Sequence, residues 1–488
     1  MDSKPEGPAS KRPVLVNWLP LVVAVAISAP MFYWGTGLHP VWWLTWLAPL
    51  PVLLVAARHG ATYSFLTAVA AMVLGNLNLW HYANSAIQLP LLVTLTFLIF
   101  PACIFGLAVL AHRRFIRRGS LWKAAFVFPT LWVTYEFLNA LSSPHSTFGN
   151  LGYTQMDFLP LIQIASLVGI WGVSFCMFLF PSTLAALLSN QPEGYGIAAQ
   201  KGTLAAVVGA IVLGVLAFGS GRLLFTPPAE NSIRIGLVAI GGANPFYQQK
   251  ETGAQLIHGF SEQMTRFGAQ GVQVIVMPEK ILIVPDDQIS KFDSLVGETA
   301  RASRSFVLAG LDRGSDTHRF NEVRVYSPDG TVAATYDKHH LLPQYESVDT
   351  PGTSRTIMNQ PSGKWGIEIC KDMDFPALSR QYGNDGVALL LVPAWDFTLD
   401  GWLHGRMAVL RGVESGFTIA RSASQGRLSI SDDRGRILAE QIAPISFPSL
   451  YLNTPIRHVN TLYARWGDWF GWANVGALLL ILFVPSKK

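Results

Sequence analysis

Lys364-Trp-Gly-Ile-Glu-Ile-Cys370-Lys-Asp-Met-Asp-Phe-Pro376 is the stretch on which the reading of this chain turns. Gly366-Ile-Glu-Ile reads as a short buried strand, Cys370 falls where that strand stops, and Asp372 and Pro376 suit the start of a following helix. A thiol at such a turn meets backbone N–H groups and the positive end of a helix dipole, which lower its pKa and stabilise an oxyanion. Taken alone, a strand-end Cys is more often a small core residue. Two upstream stretches shift the balance toward chemistry. Val274-Ile-Val-Met-Pro-Glu279 is an apolar strand that ends in Pro and a carboxylate, and Tyr336-Asp-Lys338-His-His-Leu-Leu-Pro-Gln-Tyr-Glu346 follows a hairpin-like segment at 323–335. Each sets an ionisable group at the end of a β segment, in the order Glu, Lys, Cys.

At 488 residues the chain is long enough for two or more domains. Hydrophobic residues make up 50% and charged residues only 14%, with 15 Trp, a balance foreign to a soluble enzyme and natural for a membrane protein. Apolar runs of bilayer length, about 20 residues, lie near 14–34, 41–57, 61–80, 88–111, 121–140, 158–188, 203–225 and 466–485. The first follows Lys4, Lys11 and Arg12 and has the look of a signal peptide, but no small-x-small cleavage pattern follows, so it reads as a retained anchor. With the N-terminus in the cytoplasm, the inside loops hold Arg58, Arg113, Arg114, Arg117, Arg118 and Lys123, while the opposite loops near 35–40, 81–87 and 141–157 contain no Lys or Arg. That distribution obeys the positive-inside rule and puts 226–460 outside, with Lys487 and Lys488 returned to the cytoplasm. The net charge of +5 is explained by these clusters at span ends, without a nucleic-acid partner.

From Asn231 the composition becomes that of a soluble α/β domain. Strands are expected near 233–239, 272–277, 305–310, 364–369 and 386–393, helices near 249–269, 287–303 and 402–415, and a hairpin over 427–438. Helices between buried strands imply a layered sheet covered by helices. The expected organisation is a cytoplasmic tail at 1–13, a transmembrane helical domain at 14–225, an α/β domain at 226–460, and a final span with a short tail at 461–488. Cys103, Cys176 and Cys370 are odd in number and widely spaced, so no disulfide framework is expected. Neither metal-ligand spacing nor a phosphate-binding Gly loop is found, so no cofactor and no metal is expected.

The order Glu279, Lys338, Cys370, with a strand before each, resembles the nitrilase (carbon–nitrogen hydrolase) superfamily. Lys338-His-His-Leu-Leu-Pro-Gln-Tyr-Glu346 is similar to its membrane-bound branch, the apolipoprotein N-acyltransferases. So are Phe148-Gly-Asn-Leu-Gly-Tyr-Thr-Gln155 and Leu161-Ile-Gln-Ile-Ala-Ser-Leu-Val-Gly-Ile-Trp-Gly-Val-Ser-Phe175. The resemblance implies an extracytoplasmic α-β-β-α sandwich on an α-helical bundle of about eight spans, in the bacterial cytoplasmic (inner) membrane. It implies Cys370 as nucleophile, Glu279 as general base and acid, Lys338 as the group that stabilises thiolate and oxyanion, and Glu346 as a support that orients the Lys. The implied reaction moves a fatty acyl chain from phospholipid, through a Cys thioester, to the α-amine of a diacylglyceryl-modified lipoprotein, by a monomer. A membrane-anchored amidase, or an N-acyltransferase with another amine acceptor, is the alternative.

Candidate substrate contacts on the same basis are Asn150, Tyr153 and Gln155 in the outer loop, Phe246 and Tyr247 as lid aromatics, and Trp395. Glu136, near the outer end of the fifth run, is either a snorkelling carboxylate or part of a lipid-facing surface. Arg411 and Glu414 stand at i and i+3 on the 402–416 helix, which resembles a segment that closes the family's active site; a structural ion pair is the plain alternative. His339 and His340 are expected to support their loop rather than act as bases. Lys371-Asp372, Pro393-Ala394 and Arg421-Ser-Ala-Ser-Gln-Gly426 depart from the family's usual residues, at places where the acyl acceptor is expected to be recognised.

Overall fold

The computed structural model describes residues 18–190, 195–229, 231–240, 252–443 and 448–484 and, within these, all side chains except those of 195, 196 and 252–257. Up to Leu224 the chain is helical. Four helices are long and apolar enough to cross a bilayer by length and composition: Ala61–Leu79, Leu91–Arg117, Ile170–Leu187 and Ile197–Leu224. Leu19–Gly35 and Trp469–Phe483 are shorter apolar helices, and Leu121–Ser142 carries Lys123 and Glu136 within its 22 residues.

Where the helices break, Pro and Gly are responsible. The run near 41–57 is two short helices, Leu44–Leu47 and Leu50–Ala56, because Pro49 and Pro51 withhold N–H groups that a continuous helix needs there. The run near 158–188 is also divided: Leu159–Ile162 and Ala165–Val168 precede Ile170–Leu187. Gly169 at that break has φ +68°, and a Cβ on it would lie 2.5 Å from the Tyr463 ring, so both backbone and contact require glycine. Inside the bundle Phe105 stands edge-on to Phe32, Phe128 and Trp132, with ring centres 5.3, 5.7 and 6.4 Å apart. Packing of this kind is what joins apolar helices when lipid offers no hydrophobic drive between them.

The strands are β1 (Asn231–Val238), β2 (Val274–Val276), β3 (Ile283–Val284), β4 (Phe306–Gly314), β5 (Arg319–Tyr326), β6 (Val332–Asp337), β7 (Ile357–Gln360), β8 (Gly363–Ile367), β9 (Val387–Trp395), β10 (Thr418–Ser424), β11 (Arg427–Ser431), β12 (Ile437–Ile442) and β13 (Ser449–Ile456). One sheet runs β13-β1-β2-β4-β5-β6 with β3 beside β4, and the other runs β12-β11-β10-β9-β8-β7. Their inner strands are parallel, β1 to β2 to β4 and β8 to β9 to β10. Being covered on both faces, β9 can be an unbroken apolar run, and its first eight residues are all buried. Between the sheets, Ile233, Ile235 and Leu237 meet Trp365, Ile367 and Leu391 in one core. Thr252–Ala269 and Ile289–Ser303 cover the outer face of the first sheet, and Pro376–Asn384 and Gly401–Ser415 cover the second. The result is the α-β-β-α layering that the resemblance implied.

Helix Gly401–Ser415 belongs to both halves of the molecule. Ala408 lies against the second sheet, while Met407, Leu410 and Val413 pack on Tyr153, Ile162 and Trp171 of the helical half. Arg411 and Glu414 are therefore wholly buried. Arg411 Nη2 is 3.1 Å from Glu414 Oε2 and donates to the Tyr153 hydroxyl at 3.0 Å, and Glu414 Oε1 accepts the Ile170 N–H at 2.8 Å. The i, i+3 ion pair is thus a clamp between the two halves. Arg411→Met leaves an uncompensated buried carboxylate and is expected to cost about 3–5 kcal/mol, whereas Arg411→Met with Glu414→Gln regains much of it. Thermal unfolding in detergent should rank the single variant below the double, and a single variant as stable as the parent refutes the clamp.

Candidate active site

Cys370 lies just beyond β8, at φ +43°, a left-handed conformation that costs a non-glycine residue roughly 1–2 kcal/mol. The 3₁₀ turn Cys370–Asp374 follows, then helix Pro376–Asn384 with Pro in its first turn. What holds this turn is Asp372, fully buried. Its carboxylate accepts the Ile369 N–H at 3.1 Å, the Tyr336 hydroxyl at 2.7 Å and the His340 N–H at 2.8 Å. Tyr336 and His340 flank Lys338, so one carboxylate binds the thiol's turn to the strand end that carries the ammonium. His340 also stacks on Phe375 with ring centres 3.6 Å apart, which makes it a loop support as expected.

Lys338 Nζ is 2.7 Å from Glu279 Oε1 and 3.0 Å from Glu346 Oε2, and all three side chains are buried. Asn321 Nδ2 donates to both carboxylates at 2.6 Å, fixing their separation. Lys280 lies behind them, with Nζ 3.2 Å from Glu346, 3.0 Å from Asp312 and 2.7 Å from Asp349. Sequence reasoning missed Asn321, Lys280, Asp312 and Asp349. The one signal available was their polarity within or beside apolar strands, which reads equally well as a solvated face.

The electrostatics separate the three chemical groups. Burial opposes a charge on Lys338, but Glu279 and Glu346 outweigh it and hold the ammonium's pKa well above its ordinary value. Glu346 is buried too, yet Lys338 and Lys280 keep it at about 2. Cys370 goes the other way: burial, joined by the charge of Glu279, pushes its pKa well up, and Lys338 only partly offsets this. At rest the sulfur is a thiol, and it donates to the Trp395 carbonyl at 3.2 Å.

Glu279, Lys338, Glu346, Cys370 and Trp395 all line one cavity of about 610 Å³, whose further walls include Met72, Phe97, Phe100, Trp132 and Tyr135 of the helical half. Asn150 and Tyr153 line it as well. Asn150 Oδ1 caps the turn Leu151–Gln155 by accepting the Gly152 N–H, and Tyr153 shares a hydrogen bond with Thr147. Gln155 is not brought to the cavity. Its amide is fully used by Trp46, Trp42 and Thr45, at 2.7, 3.0 and 2.8 Å, so it fastens the loop to the bundle. Phe246 and Tyr247 lie outside the described residues. Glu136 lines the cavity and accepts the Leu151 N–H at 2.8 Å, so it belongs to that surface and does not snorkel to bulk water.

Behind Trp395, Arg421 grips both oxygens of Asp396 at 2.9 and 2.5 Å, and Tyr82 donates to Asp400 at 2.7 Å. Asp396, Asp400 and His404 offer atoms within 4.8 Å of one another, a spacing that suits a cation. Arg421 already occupies Asp396, however, and although burial lowers the pKa of His404, the two carboxylates outweigh that and lift it to about 10. The protein's own cations therefore balance the cluster.

Residues 17–183 match the family described as the apolipoprotein N-acyltransferase N-terminal domain, and residues 237–441 match the carbon–nitrogen hydrolase family. The chain is 26% identical to the apolipoprotein N-acyltransferase of Geobacter metallireducens, across 96% of this chain and 94% of that one. It is 24% identical to the enzyme of the same name from Shewanella oneidensis, across 83% and 82%. Apolipoprotein N-acyltransferase 1 of Treponema denticola matches at 23% across 96% and 95%. Among solved structures, an amidase from Nesterenkonia sp. aligns with 50% of this chain and 97% of its own, at 20% identity and TM-score 0.41. Both halves are matched in chain order, the first by the apolipoprotein N-acyltransferase N-terminal domain and the second by the carbon–nitrogen hydrolases, and along nearly its whole length the chain is similar to proteins named apolipoprotein N-acyltransferase.

Proposed function

We propose that this chain transfers a fatty acyl group from a membrane phospholipid to the α-amine of the lipid-modified N-terminal cysteine of an apolipoprotein, through a thioester on Cys370. One observation carries the reading: the thiol, ammonium and carboxylate share a cavity with apolar side chains of the helices over 61–76, 91–117 and 121–142. A two-chain lipid is held in the bilayer by about 0.8 kcal/mol for each buried methylene. Its ester must therefore be opened at the membrane, where such a cavity can receive it.

Glu279 Oε1 is taken by Lys338 and Asn321, which leaves Oε2 to receive the thiol proton. As Cys370 sulfur bonds to the ester carbonyl carbon, its proton passes to Glu279, so no free thiolate has to accumulate. Negative charge builds on the carbonyl oxygen, within reach of Lys338 Nζ and the Lys371 N–H; the Asp372 N–H is already committed to the Ile369 carbonyl at 2.9 Å. Each such donor is worth about 3 kcal/mol of barrier. Collapse of the tetrahedral intermediate breaks the ester C–O bond, and Glu279 returns the proton to the departing lysolipid alcohol. In the second half-reaction Glu279 takes a proton from the incoming amine, the C–N bond forms, and the leaving sulfur recovers the proton. Two half-reactions through one covalent intermediate give ping-pong kinetics.

The proposal includes the membrane arrangement: about eight crossings, both termini in the cytoplasm, and the sandwich on the outer side of a bacterial inner membrane, as a monomer. Supporting it, Arg113, Arg114, Arg117, Arg118 and Lys123 gather at one end of the 91–117 and 121–142 helices. The loop from 143 to 150, which reaches the Cys370 turn, lies at the other end and has neither Lys nor Arg.

Incubated with phospholipid vesicles, the purified chain should form a hydroxylamine-labile acyl adduct that Cys370→Ala abolishes and Lys338→Met slows about 100-fold. A diacylated lipopeptide should then discharge the adduct. Loading without discharge would identify a different acceptor, and a chain that no phospholipid loads overturns the donor. A second outcome follows from the raised thiol pKa. Alkylation of Cys370 by iodoacetamide, followed by peptide mass spectrometry, should still be accelerating above pH 9, and Glu279→Gln, which removes a repelling charge, should hasten it near neutrality. A rate that levels off near neutrality in the parent chain would mean a preformed thiolate and sink the concerted step.

A further inference from the structure

Beside the nucleophile stands a cation that the acyl-transfer chemistry leaves without a task. The Lys371 side chain is buried yet lines the cavity, with Nζ 3.0 Å from His145 Nδ1 and 3.4 Å from Asp374 Oδ2. An ammonium only donates, so His145 Nδ1 must accept, and the single proton of a neutral imidazole then sits on Nε2. Although the side chain is exposed on the cavity wall, desolvation by its neighbours and the Lys371 ammonium beside it lower the His145 pKa to about 4, which favours the neutral ring. His145 also lines the cavity, and its Nε2 makes no hydrogen bond among the described residues.

Both donors are fixed in place. The Asp374 carbonyl accepts the Thr147 N–H at 3.3 Å and the Thr147 hydroxyl at 2.7 Å, which locks the His145 loop against the Cys370 turn. The turn itself is already held by Asp372, so it does not need Lys371 paired with Asp374 for its shape. At 3.4 Å Asp374 offsets the ammonium only in part, and the remaining positive potential faces the cavity that holds the sulfur.

We propose that Lys371 Nζ and the His145 Nε2–H form a subsite for the phosphate of the acyl donor, and that binding there sets which ester meets Cys370. The inference rests on the phospholipid reading above and deepens it. Lys371 follows the nucleophile directly, so its ammonium can hold an anion no further from the sulfur than a lysine side chain reaches. The glycerol carbons of a phospholipid impose a short separation of this kind between the reacting ester and the phosphodiester. A phosphate oxygen suits both donors, since Lys binds phosphate as a point charge and a neutral imidazole N–H adds direction.

The test compares two donors for acylation of Cys370 by the full chain in detergent: phosphatidylglycerol, and diacylglycerol with the same acyl chains and no phosphate. The parent chain should favour the phospholipid. Lys371→Gln should lower the ratio of the two kcat/KM values by about tenfold or more, the worth of one charge-assisted hydrogen bond, chiefly through KM. Lys371→Arg should keep most of the preference, His145→Ala should lose part of it, and inorganic phosphate should compete with phosphatidylglycerol more strongly in the parent chain than in Lys371→Gln. Equal losses with both donors in Lys371→Gln, or a parent chain indifferent to the phosphate, overturn the subsite while leaving the thioester chemistry intact. A parent chain acylated by diacylglycerol and by no phospholipid overturns the donor reading itself, and the subsite with it.

Discussion

An ammonium buried between two carboxylates is the constraint that organises the rest of the site. Removing an ion from water costs several kcal/mol even after relaxation, and that cost is recovered only when geometry and hydrogen bonds are good. Here the recovery is visible group by group. Lys338 has Glu279 and Glu346, Asn321 bridges the two acids, the Leu342 N–H adds to Glu346, and Lys280 brings a second cation with Asp312 and Asp349 around it. Carboxylates outnumber cations in this group, and Asp312 relieves part of the excess: burial lifts it to about 7 against the pull of Lys280. The residual negative potential reaches the sulfur. The arrangement that keeps Lys338 charged therefore favours a protonated Cys370, and a protonated thiol is a poor target for adventitious oxidation.

Much of this was legible because it rests on local order. The Glu, Lys and Cys each follow a strand, an order that resembles the carbon–nitrogen hydrolases, and it is that resemblance which grouped three residues carried by two different sheets. The helix over 402–415 and its Arg411–Glu414 pair were legible from local order, since i, i+3 spacing is a property of one helix. Asn321 was not legible. It lies near the start of β5, and only the pairing of β5 with β4 and β6 brings its amide between acids 42 residues before it and 25 after it. Gln155 shows the opposite failure. It sits in a polar motif beside two cavity residues, but Trp42, Thr45 and Trp46, more than a hundred residues earlier, claim its amide. The helix breaks at Pro49 and Gly169 were in principle readable from residue type. Apolar length outweighed them because a hydropathy run records solvent preference and is blind to a missing N–H or a crowded Cβ.

The two halves are joined by hydrogen bonds to charged groups, and that limits how far one can move against the other. Tyr82, in the π-helical turn Tyr82–Ala86, donates to Asp400; His404 stands 3.4 Å from Asp400 and 3.5 Å from Asp396; Asp396 is gripped by Arg421 and follows Trp395, whose carbonyl holds the thiol. On the far side Arg411 and Glu414 close a second junction, and Arg222 donates to the side chain of Gln163 and to the Asp433 carbonyl in a third. Turning the sandwich as a body on the helical bundle would break at least one hydrogen bond to a charged group at each of these places, at about 1.5–3 kcal/mol apiece. Side-chain rotation and loop movement along the cavity involve no such loss. Tyr345 and Phe397 illustrate the cheaper route: their rings lie 5.3 Å apart between centres, both line the cavity, and Phe397 stands the same distance from Trp395. Aromatic contacts of this kind are worth about 0.5–1.5 kcal/mol, small enough to open and re-form during turnover. Rearranging side chains at the cavity wall around Cys370 therefore costs less than moving the two halves against each other.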